Sequence, residues 1–131
     1  MLPLYNSLSR TREPLKTIEP GVVRLYVCGI TVYDYCHLGH ARFLIVFDMF
    51  VRFLRSQGWQ VRYVRNVTDI DDKIIKRAAD TGVDASEIAA RFTTAMSEDE
   101  AALGLVAPDV EPKATAHIDD IIAMIQAVST P

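Results

Sequence analysis

The feature that most constrains the fold is a strand–helix–strand pattern across residues 22–67. Residues 22–27 (VVRLYV) follow a Pro-Gly turn pair and are rich in β-branched and aromatic side chains, which indicates a strand buried on both faces. Residues 60–67 (QVRYVRNV) largely alternate polar and apolar side chains, which indicates a second strand. Because a long helical segment joins them, we expect parallel strands, a right-handed connection and an α/β fold.

The connecting segment is predicted to form a long helix that packs on more than one side. Large apolar side chains share one helical face, at Phe43, Phe47, Phe50, Val51 and Leu54. Other apolar side chains extend that surface around the helix, at Leu44, Ile45, Val46 and Met49. Gly58 is expected to end the helix, because glycine tolerates a left-handed cap.

Further helical segments follow the second strand. A short helix is predicted to begin at the capping-box-like residues 68–71 (TDID) and to close at Gly82. Helices are also expected over about residues 85–103 and 114–128, separated by a proline-containing linker at 104–113. Since two parallel strands do not complete a doubly wound sheet, we expect the rest of the sheet to lie outside this chain.

Charge is unevenly distributed along the chain. Residues 1–77 contain 12 Lys or Arg and 7 Asp or Glu, whereas residues 78–131 contain 2 and 10. The basic half suits a polyanionic ligand such as a nucleotide or an RNA backbone, and the acidic half is interpreted as a solvated helical face. No apolar run is long enough for a signal peptide or a membrane span, so we expect a cytoplasmic protein without a membrane partner.

The most specific chemical signal is His37-Leu38-Gly39-His40, where the loop after the first strand enters the helix. A helix start presents unpaired backbone N–H groups and the positive end of the helix dipole, which together attract phosphate. Gly39 would let an adenine or a phosphate approach the backbone closely. The imidazoles of His37 and His40 can donate hydrogen bonds to triphosphate oxygens, and such contacts strengthen as charge develops in a transition state. The pattern favours a catalytic nucleotide site over two unrelated histidines.

This motif resembles the His-Ile-Gly-His (HIGH) motif of class I aminoacyl-tRNA synthetases, with leucine in place of isoleucine. Longer stretches resemble cysteinyl-tRNA synthetases in particular, and the likeness covers essentially the whole chain. These stretches are residues 4–10 (LYNSLSR), 26–40 (YVCGITVYDYCHLGH), 65–77 (RNVTDIDDKIIKR) and 107–112 (APDVEP). The resemblance implies the first half of a Rossmann-like class I catalytic domain. Residues 1–103 would be its nucleotide-binding part, and residues 104–131 a linker and helix leading towards the connective insertion.

The resemblance also implies roles for the motif residues. His37 and His40 correspond to the pair that binds ATP and stabilises adenylate formation, with Gly39 in the same nucleotide site. The implied reaction is ATP-dependent activation of cysteine as cysteinyl-adenylate, with magnesium accompanying ATP, followed by transfer to the cognate tRNA. The parent ligase would be a monomer, whereas exposed sheet edges would allow a shorter piece to self-associate.

A cysteine pocket and a zinc ligand are implied in the same way. Gly29, Thr31 and Thr68 correspond to positions that line the cysteine pocket. Cys28 corresponds to a thiolate ligand of the active-site zinc, and a soft thiolate at the carboxyl end of a strand suits that role. The other zinc ligands, the Lys-Met-Ser-Lys-Ser loop and the anticodon-binding region have no counterpart in these residues. We therefore expect a truncated fragment that binds ATP weakly and zinc poorly. Such a fragment would not activate cysteine at a useful rate.

Other polar or reactive side chains are interpreted structurally. Both cysteines are expected to be reduced, and Cys36 to pack in the core. Trp59 is assigned to the core and His117 to solvent. Helix capping and surface decoration are assigned to the carboxylates near residue 70, Asp69, Asp71 and Asp72.

Three alternatives stay open on the sequence alone. The cysteine ligase of mycothiol biosynthesis is a paralogue with the same adenylation chemistry and an aminosugar acceptor. A small nucleotidylyltransferase also carries an H-x-G-H pair, but a Gly-x-Phe-Asp run would be expected before the histidines, where this chain has Gly29-Ile30-Thr31-Val32-Tyr33-Asp34. A non-catalytic binding module derived from a synthetase would keep the fold without the chemistry.

Overall fold

The computed structural model describes residues 2–129 and opens with a hairpin. Strands β1 (Pro3–Asn6) and β2 (Thr11–Pro14) are antiparallel, with Tyr5 opposite Arg12. No alternating pattern in the sequence predicts this hairpin, because both strands are short and largely exposed.

The predicted strand–helix–strand unit follows. Strands β3 (Val22–Val27) and β4 (Gln60–Arg65) pair in parallel, with Val23 opposite Val61. Helix α1 (Leu38–Ser56) connects them. The prediction of an α/β fold with parallel strands and a crossover helix is confirmed.

The strand pair packs against α1 through one face. Val23, Val27 and Tyr63 belong to a core cluster that also contains buried side chains of α1. The prediction that the first strand is buried on both faces is wrong. Side chains alternate between the faces of a strand, and those of Arg24 and Tyr26 lie exposed on the second face.

Helix α1 buries one stripe of side chains rather than several sides. Leu44, Val51 and Leu54 are its buried residues. The expectation of wider packing is wrong within residues 2–129, because Ile45, Val46 and Met49 are exposed, the last by 62%. Successive helical residues are rotated by about 100°, so these positions lie outside the stripe that faces the strands. The predicted stop is confirmed, since Gly58 follows the cap with a φ of +83°.

Helix α2 (Asp72–Thr81) begins later than the capping-box pattern predicts. Asp71 is the N-cap residue, and its carboxylate accepts from the backbone N–H of Lys73 at 2.9 Å. Thr68 does not cap this helix, because its backbone forms an isolated parallel bridge with Thr31. Gly82 ends the helix with a φ of +68°, as expected.

Helix α3 (Ala85–Ala102) packs on α2 and encloses a second core. Its buried members come from the loop after β3, the end of β4 and both helices: Val32, Val67, Ile74, Ile88, Ala89, Phe92 and Met96. Cys36 packs against this cluster and Trp59 against the first one, so both assignments to the interior are confirmed.

Residues 104–113 lie alongside β4. The Arg65 N–H donates to the carbonyl of Val110 at 3.1 Å, and the Val67 N–H donates to that of Pro112 at 2.9 Å. The predicted linker is therefore hydrogen-bonded to the strand over part of its length. The domain boundary at residue 104 stays a prediction.

A buried ion network ties the same strand to α3 and to this segment. Arg65 is 3% exposed, and its guanidinium contacts Glu100 of α3 at 2.8 Å and Glu111 at 2.5 Å. Glu100 thus links α3 to β4, and Glu111 links residues 104–113 to the same strand. The network therefore fixes the position of α3 and of residues 104–113 relative to the strand.

The last described elements are a 3₁₀ turn (Ala114–His117) and helix α4 (Ile118–Ser129), where one helix was expected. His117 is exposed and lies 2.9 Å from Asp120, in line with its assignment to solvent. Residues 130 and 131 of the predicted second region lie outside the described residues. Within residues 2–129, no helix combines the length and the apolar character that a membrane span requires.

Candidate nucleotide and amino-acid site

Helix α1 begins with a reciprocal cap made by the two predicted histidines. His37 is the N-cap residue, and its Nδ1 accepts from the Gly39 N–H at 3.0 Å. The Nδ1 of His40 accepts from the His37 N–H at 3.2 Å. The two rings stack, with centroids 3.9 Å apart and planes 23° apart. Imidazoles thus take the places that Ser or Thr and Glu or Gln hold in a capping box.

These hydrogen bonds determine which ring nitrogen carries the proton. A backbone N–H can only donate, so the Nδ1 atoms of His37 and His40 must be unprotonated. Each neutral ring therefore carries its proton on Nε2, which is left to donate to a bound group. Burial, and after it the charge of the neighbouring His37, lowers the pKa of His40 and favours its neutral form.

Gly39 leaves room for the ring of His37. A Cβ added at residue 39 would lie 2.8 Å from Cε1 and 2.9 Å from Nδ1 of that ring. A side chain here would displace the imidazole from the helix start. The small size of this glycine therefore serves the cap, in addition to its predicted role of admitting a ligand.

The three predicted pocket residues lie together beyond the carboxyl ends of β3 and β4. Thr31 and Thr68 are bridge partners, and the Val32 N–H donates to the Thr68 carbonyl at 3.2 Å. Gly29 lies against the backbone that follows β4, since a Cβ added to it would be 1.5 Å from the carbonyl oxygen of Asn66. The carboxyl ends of parallel strands are where open α/β sheets bind ligands.

Asn66 connects these pocket residues. Its Oδ1 accepts from the Gly29 N–H at 2.7 Å and from the Tyr26 hydroxyl at 2.9 Å. Its Nδ2 donates to Oγ1 of Thr68 at 3.2 Å. No motif in the sequence marks this residue. The available signal was an amide side chain directly after a buried strand, at the edge where ligands bind.

The two cysteines are reduced and differ in environment. Cys28 is exposed at the end of β3, next to the predicted pocket. Cys36 is half-buried, and burial followed by the nearby carboxylate of Asp99 raises the pKa of its thiol. A protonated, packed thiol agrees with the structural role expected of Cys36.

The described residues do not form a zinc centre. Among residues 2–129, no three His, Cys, Asp or Glu side chains are grouped so as to hold one metal ion. Zinc in proteins is held by three or four such ligands, so Cys28 cannot bind it tightly alone. Its role as a zinc ligand stays a prediction.

A cavity of about 520 Å³ opens beside the first turn of α1. Its walls include Cys36, His37, Leu38, Asp99 and Leu103. This volume is within the usual range for small-molecule pockets, but apolar walls and a carboxylate do not suit phosphate. The cavity touches the histidine pair through His37 and does not include the pocket threonines.

The fold and the site together define a class of protein. A parallel strand pair is joined by a helix that begins with the two histidines, after the loop that leaves the carboxyl end of β3. This is the arrangement of Rossmann-like α/β proteins that bind nucleotides.

The chain belongs to the catalytic-domain family of the class I (C) tRNA synthetases. The family model described as "tRNA synthetases class I (C) catalytic domain" matches residues 14–130. The predicted family is therefore confirmed, and this match favours the synthetase interpretation over a small nucleotidylyltransferase.

Curated relatives of the chain are named cysteine–tRNA ligase. One from Alkalilimnicola ehrlichii is 60% identical over 126 residues, covering 96% of this chain and 27% of the relative. One from Methylococcus capsulatus is 62% identical over 125 residues, covering 95% and 27%. The chain therefore spans about a quarter of the length of these relatives.

A solved structure is also similar. It is the Mycobacterium tuberculosis methionyl-tRNA synthetase in complex with methionyl-adenylate, with a TM-score of 0.58 and 27% sequence identity. The similarity covers 66% of this chain and 17% of that chain. The likeness agrees with the predicted class I synthetase fold.

Proposed function

We propose that this chain is part of an enzyme that activates cysteine with ATP and transfers it to tRNA. The names of its relatives support cysteine and tRNA as substrates, and the adenylate bound to the solved neighbour supports the chemistry. The observation that carries the proposal is the reciprocal cap of His37 and His40, which leaves both Nε2–H groups available as donors. Such an enzyme would act in the cytoplasm.

The first step takes place at the start of α1. The triphosphate of ATP, accompanied by magnesium, lies against the helix start and the two imidazoles. A carboxylate oxygen of cysteine attacks the α-phosphorus, the bond from the α-phosphorus to the bridging oxygen breaks, and pyrophosphate leaves. The Nε2–H donors of His37 and His40 stabilise the charge that grows on the α-phosphate oxygens. Because both rings are held by backbone hydrogen bonds, these donors are in place before the reaction.

The amino acid lies beyond the strand ends, against Gly29, Thr31 and Thr68. In the second step, the terminal ribose hydroxyl of tRNA attacks the activated carbonyl carbon and AMP leaves. Cys28 is proposed as one ligand of a zinc ion held together with groups outside residues 2–129. No step here is routed through that ion, since the described residues do not complete its site.

The test places this chain in a full-length setting. In a chimera, it replaces the 125 matched residues of the Methylococcus capsulatus relative, which is 62% identical. We expect cysteine-dependent exchange between ATP and pyrophosphate, and cysteine transfer to tRNA. His37→Ala and His40→Ala should each lower the exchange rate by about 10²- to 10³-fold, as the loss of one preorganised donor does.

The matched control is His117→Ala, because His117 is exposed on the 3₁₀ turn and its ring lies 2.9 Å from the carboxylate of Asp120. It should leave the exchange rate unchanged. A chimera that folds, as judged by circular dichroism and a single thermal transition, yet activates no amino acid would contradict the proposal. Preferential activation of an amino acid other than cysteine would contradict the substrate.

A further inference from the structure

The side chain of Asn66 makes three hydrogen bonds between the ends of β3 and β4. Its Oδ1 accepts from the Gly29 N–H at 2.7 Å and from the Tyr26 hydroxyl at 2.9 Å, and its Nδ2 donates to Oγ1 of Thr68 at 3.2 Å. The amide is therefore attached to both strand ends and to one of the predicted pocket hydroxyls.

The orientation of this amide follows from its neighbour. A backbone N–H can only donate, so the Asn66 atom that faces Gly29 must be the oxygen. The NH₂ group then faces Thr68, whose oxygen must accept from it. Turning the amide over would place its NH₂ group 2.7 Å from the Gly29 N–H, where two donors would oppose each other and that hydrogen bond would be lost.

This orientation sets the direction of the Thr68 hydroxyl. A threonine hydroxyl has one proton to donate, and Asn66 uses only its oxygen. Among residues 2–129, no acceptor is paired with that proton. The hydroxyl of Thr68 is therefore left as a donor for a bound group.

We propose that Asn66 is a positioning residue of the amino-acid pocket, which holds Thr68 as a hydrogen-bond donor to an anionic group of the bound amino acid. This inference rests on the proposed function, which places cysteine against Gly29, Thr31 and Thr68. Cysteine offers two such acceptors, its carboxylate and its thiolate, whereas its ammonium group only donates. Hydrogen bonds to an ionised acceptor are about twice as strong as neutral ones.

The decisive variant is Asn66→Asp, tested in the full-length chimera. The carboxylate has nearly the same shape, and one of its oxygens keeps the bonds from Gly29 and Tyr26. Its second oxygen can only accept, so the hydroxyl of Thr68 turns towards it and no longer donates to the substrate. We expect the KM for cysteine to rise about tenfold or more, as for one lost charge-assisted hydrogen bond. The KM for ATP should stay within about twofold, because the proposed function places ATP against the start of α1 and not against Thr68.

Substitutions at residue 68 separate this effect from repulsion by the new charge. Thr68→Val removes the hydroxyl at constant shape and should raise the KM for cysteine to a similar degree, whereas Thr68→Ser should restore it. In the Thr68→Val background, Asn66→Asp should add less than about twofold, since both changes remove the same bond. Multiplying effects would indicate charge repulsion and overturn the proposal. If Asn66→Asp does not fold, the contrast between Val and Ser at residue 68 decides the question.

The control is Tyr26→Phe, which removes one of two donors to Oδ1 and leaves the Gly29 bond that orients the amide. It should change the KM for cysteine by less than about twofold. Cysteamine, which lacks the carboxylate, serves as a competitive inhibitor. If cysteamine inhibits the Asn66→Asp chimera less than the unsubstituted chimera, the acceptor is the thiolate. If it inhibits both equally, the acceptor is the carboxylate.

Failure of this inference is distinguishable from failure of the proposed function. If the unsubstituted chimera shows no cysteine-dependent exchange, the proposed function is wrong and this inference with it. If that chimera activates cysteine and Asn66→Asp leaves its KM unchanged, only the inference about Asn66 is wrong.

Discussion

The backbone N–H of Gly29 donates to Oδ1 of Asn66 at 2.7 Å, and a Cβ on residue 29 would lie 1.5 Å from the Asn66 carbonyl oxygen. The backbones that leave β3 and β4 therefore approach too closely for any side chain at this point. A glycine here lets both strand ends contribute to one pocket.

Replacing Gly29 by alanine should separate the strand ends. Because the overlap is with backbone, we expect a loss of about 3 kcal/mol in the free energy of unfolding, at the upper end of the range for overpacking. Urea unfolding of the chain would measure it. Gly21→Ala is the control, since Gly21 has a φ of +79° but a Cβ added there would meet no atom of the described residues within 4 Å, and strain alone costs about 1 kcal/mol. Equal losses in the two variants would contradict the overlap.

The cap and the donor functions of His37 can be separated by two substitutions. His37→Ala removes the acceptor for the Gly39 N–H and should lower the free energy of unfolding by about 1 kcal/mol. His37→Asn keeps an acceptor at the N-cap and should stay within about 0.5 kcal/mol of the original chain. Both should weaken ATP binding about tenfold, because both lose the Nε2–H donor. Urea unfolding and calorimetric titration with ATP would test the pair, and an unchanged stability of His37→Ala would argue against the cap.

Stability should depend on pH through His40. Its pKa in the folded chain is lowered from the ordinary value of 6.5, so the unfolded chain takes up the proton first as the pH falls. The contribution is therefore present above about pH 6.5 and is lost as the pH falls from there towards the lower folded pKa. Carboxylates with lowered pKa, such as that of Asp48, act only at more acidic pH.

Urea unfolding between pH 8 and pH 5 would measure this dependence. The matched variant is His40→Gln, which keeps a side-chain acceptor for the His37 N–H but does not titrate in this range. We expect the loss of stability below about pH 6.5 to be smaller in the variant. The same pH profile in both proteins would mean that His40 is not the group responsible.

The ion network of Arg65 should be important for stability. Arg65→Met leaves two carboxylates, Glu100 and Glu111, without their shared cation, and we expect a loss of about 3 kcal/mol or more. Adding Glu100→Gln should recover part of it, because one buried charge is then removed. Lys76→Met is the control, since its pair with Asp80 is exposed by 77% and 60% and contributes less than about 1 kcal/mol. Thermal and urea unfolding would compare the three variants. If Arg65→Met loses no more free energy of unfolding than Lys76→Met, the role of the network is contradicted.

The hydrophobic pattern was sufficient to predict the parallel strand pair, its crossover helix and the helices that follow. The motif likewise predicted the family, and it placed His37 and His40 at a helix start. Patterns of this kind are read within one segment, so they do not reveal partners distant in the chain. Arg65 looked like a polar position on a strand, yet it is buried because Glu100 and Glu111 lie 35 and 46 residues away along the chain.

Asn66 illustrates the same limit at the candidate site. Local rules act through neighbours three or four residues apart in a helix and two apart in a strand, which is why periodicity and capping residues could be read from the amino-acid order. Some features of the site depend on contacts made only after the strands and α1 have packed. They are the approach of Gly29 to Asn66, the direction of the Thr68 hydroxyl and the proton positions on the two imidazoles. Those contacts, which determine how a ligand would be held, follow from geometry in three dimensions and have no counterpart in the linear pattern.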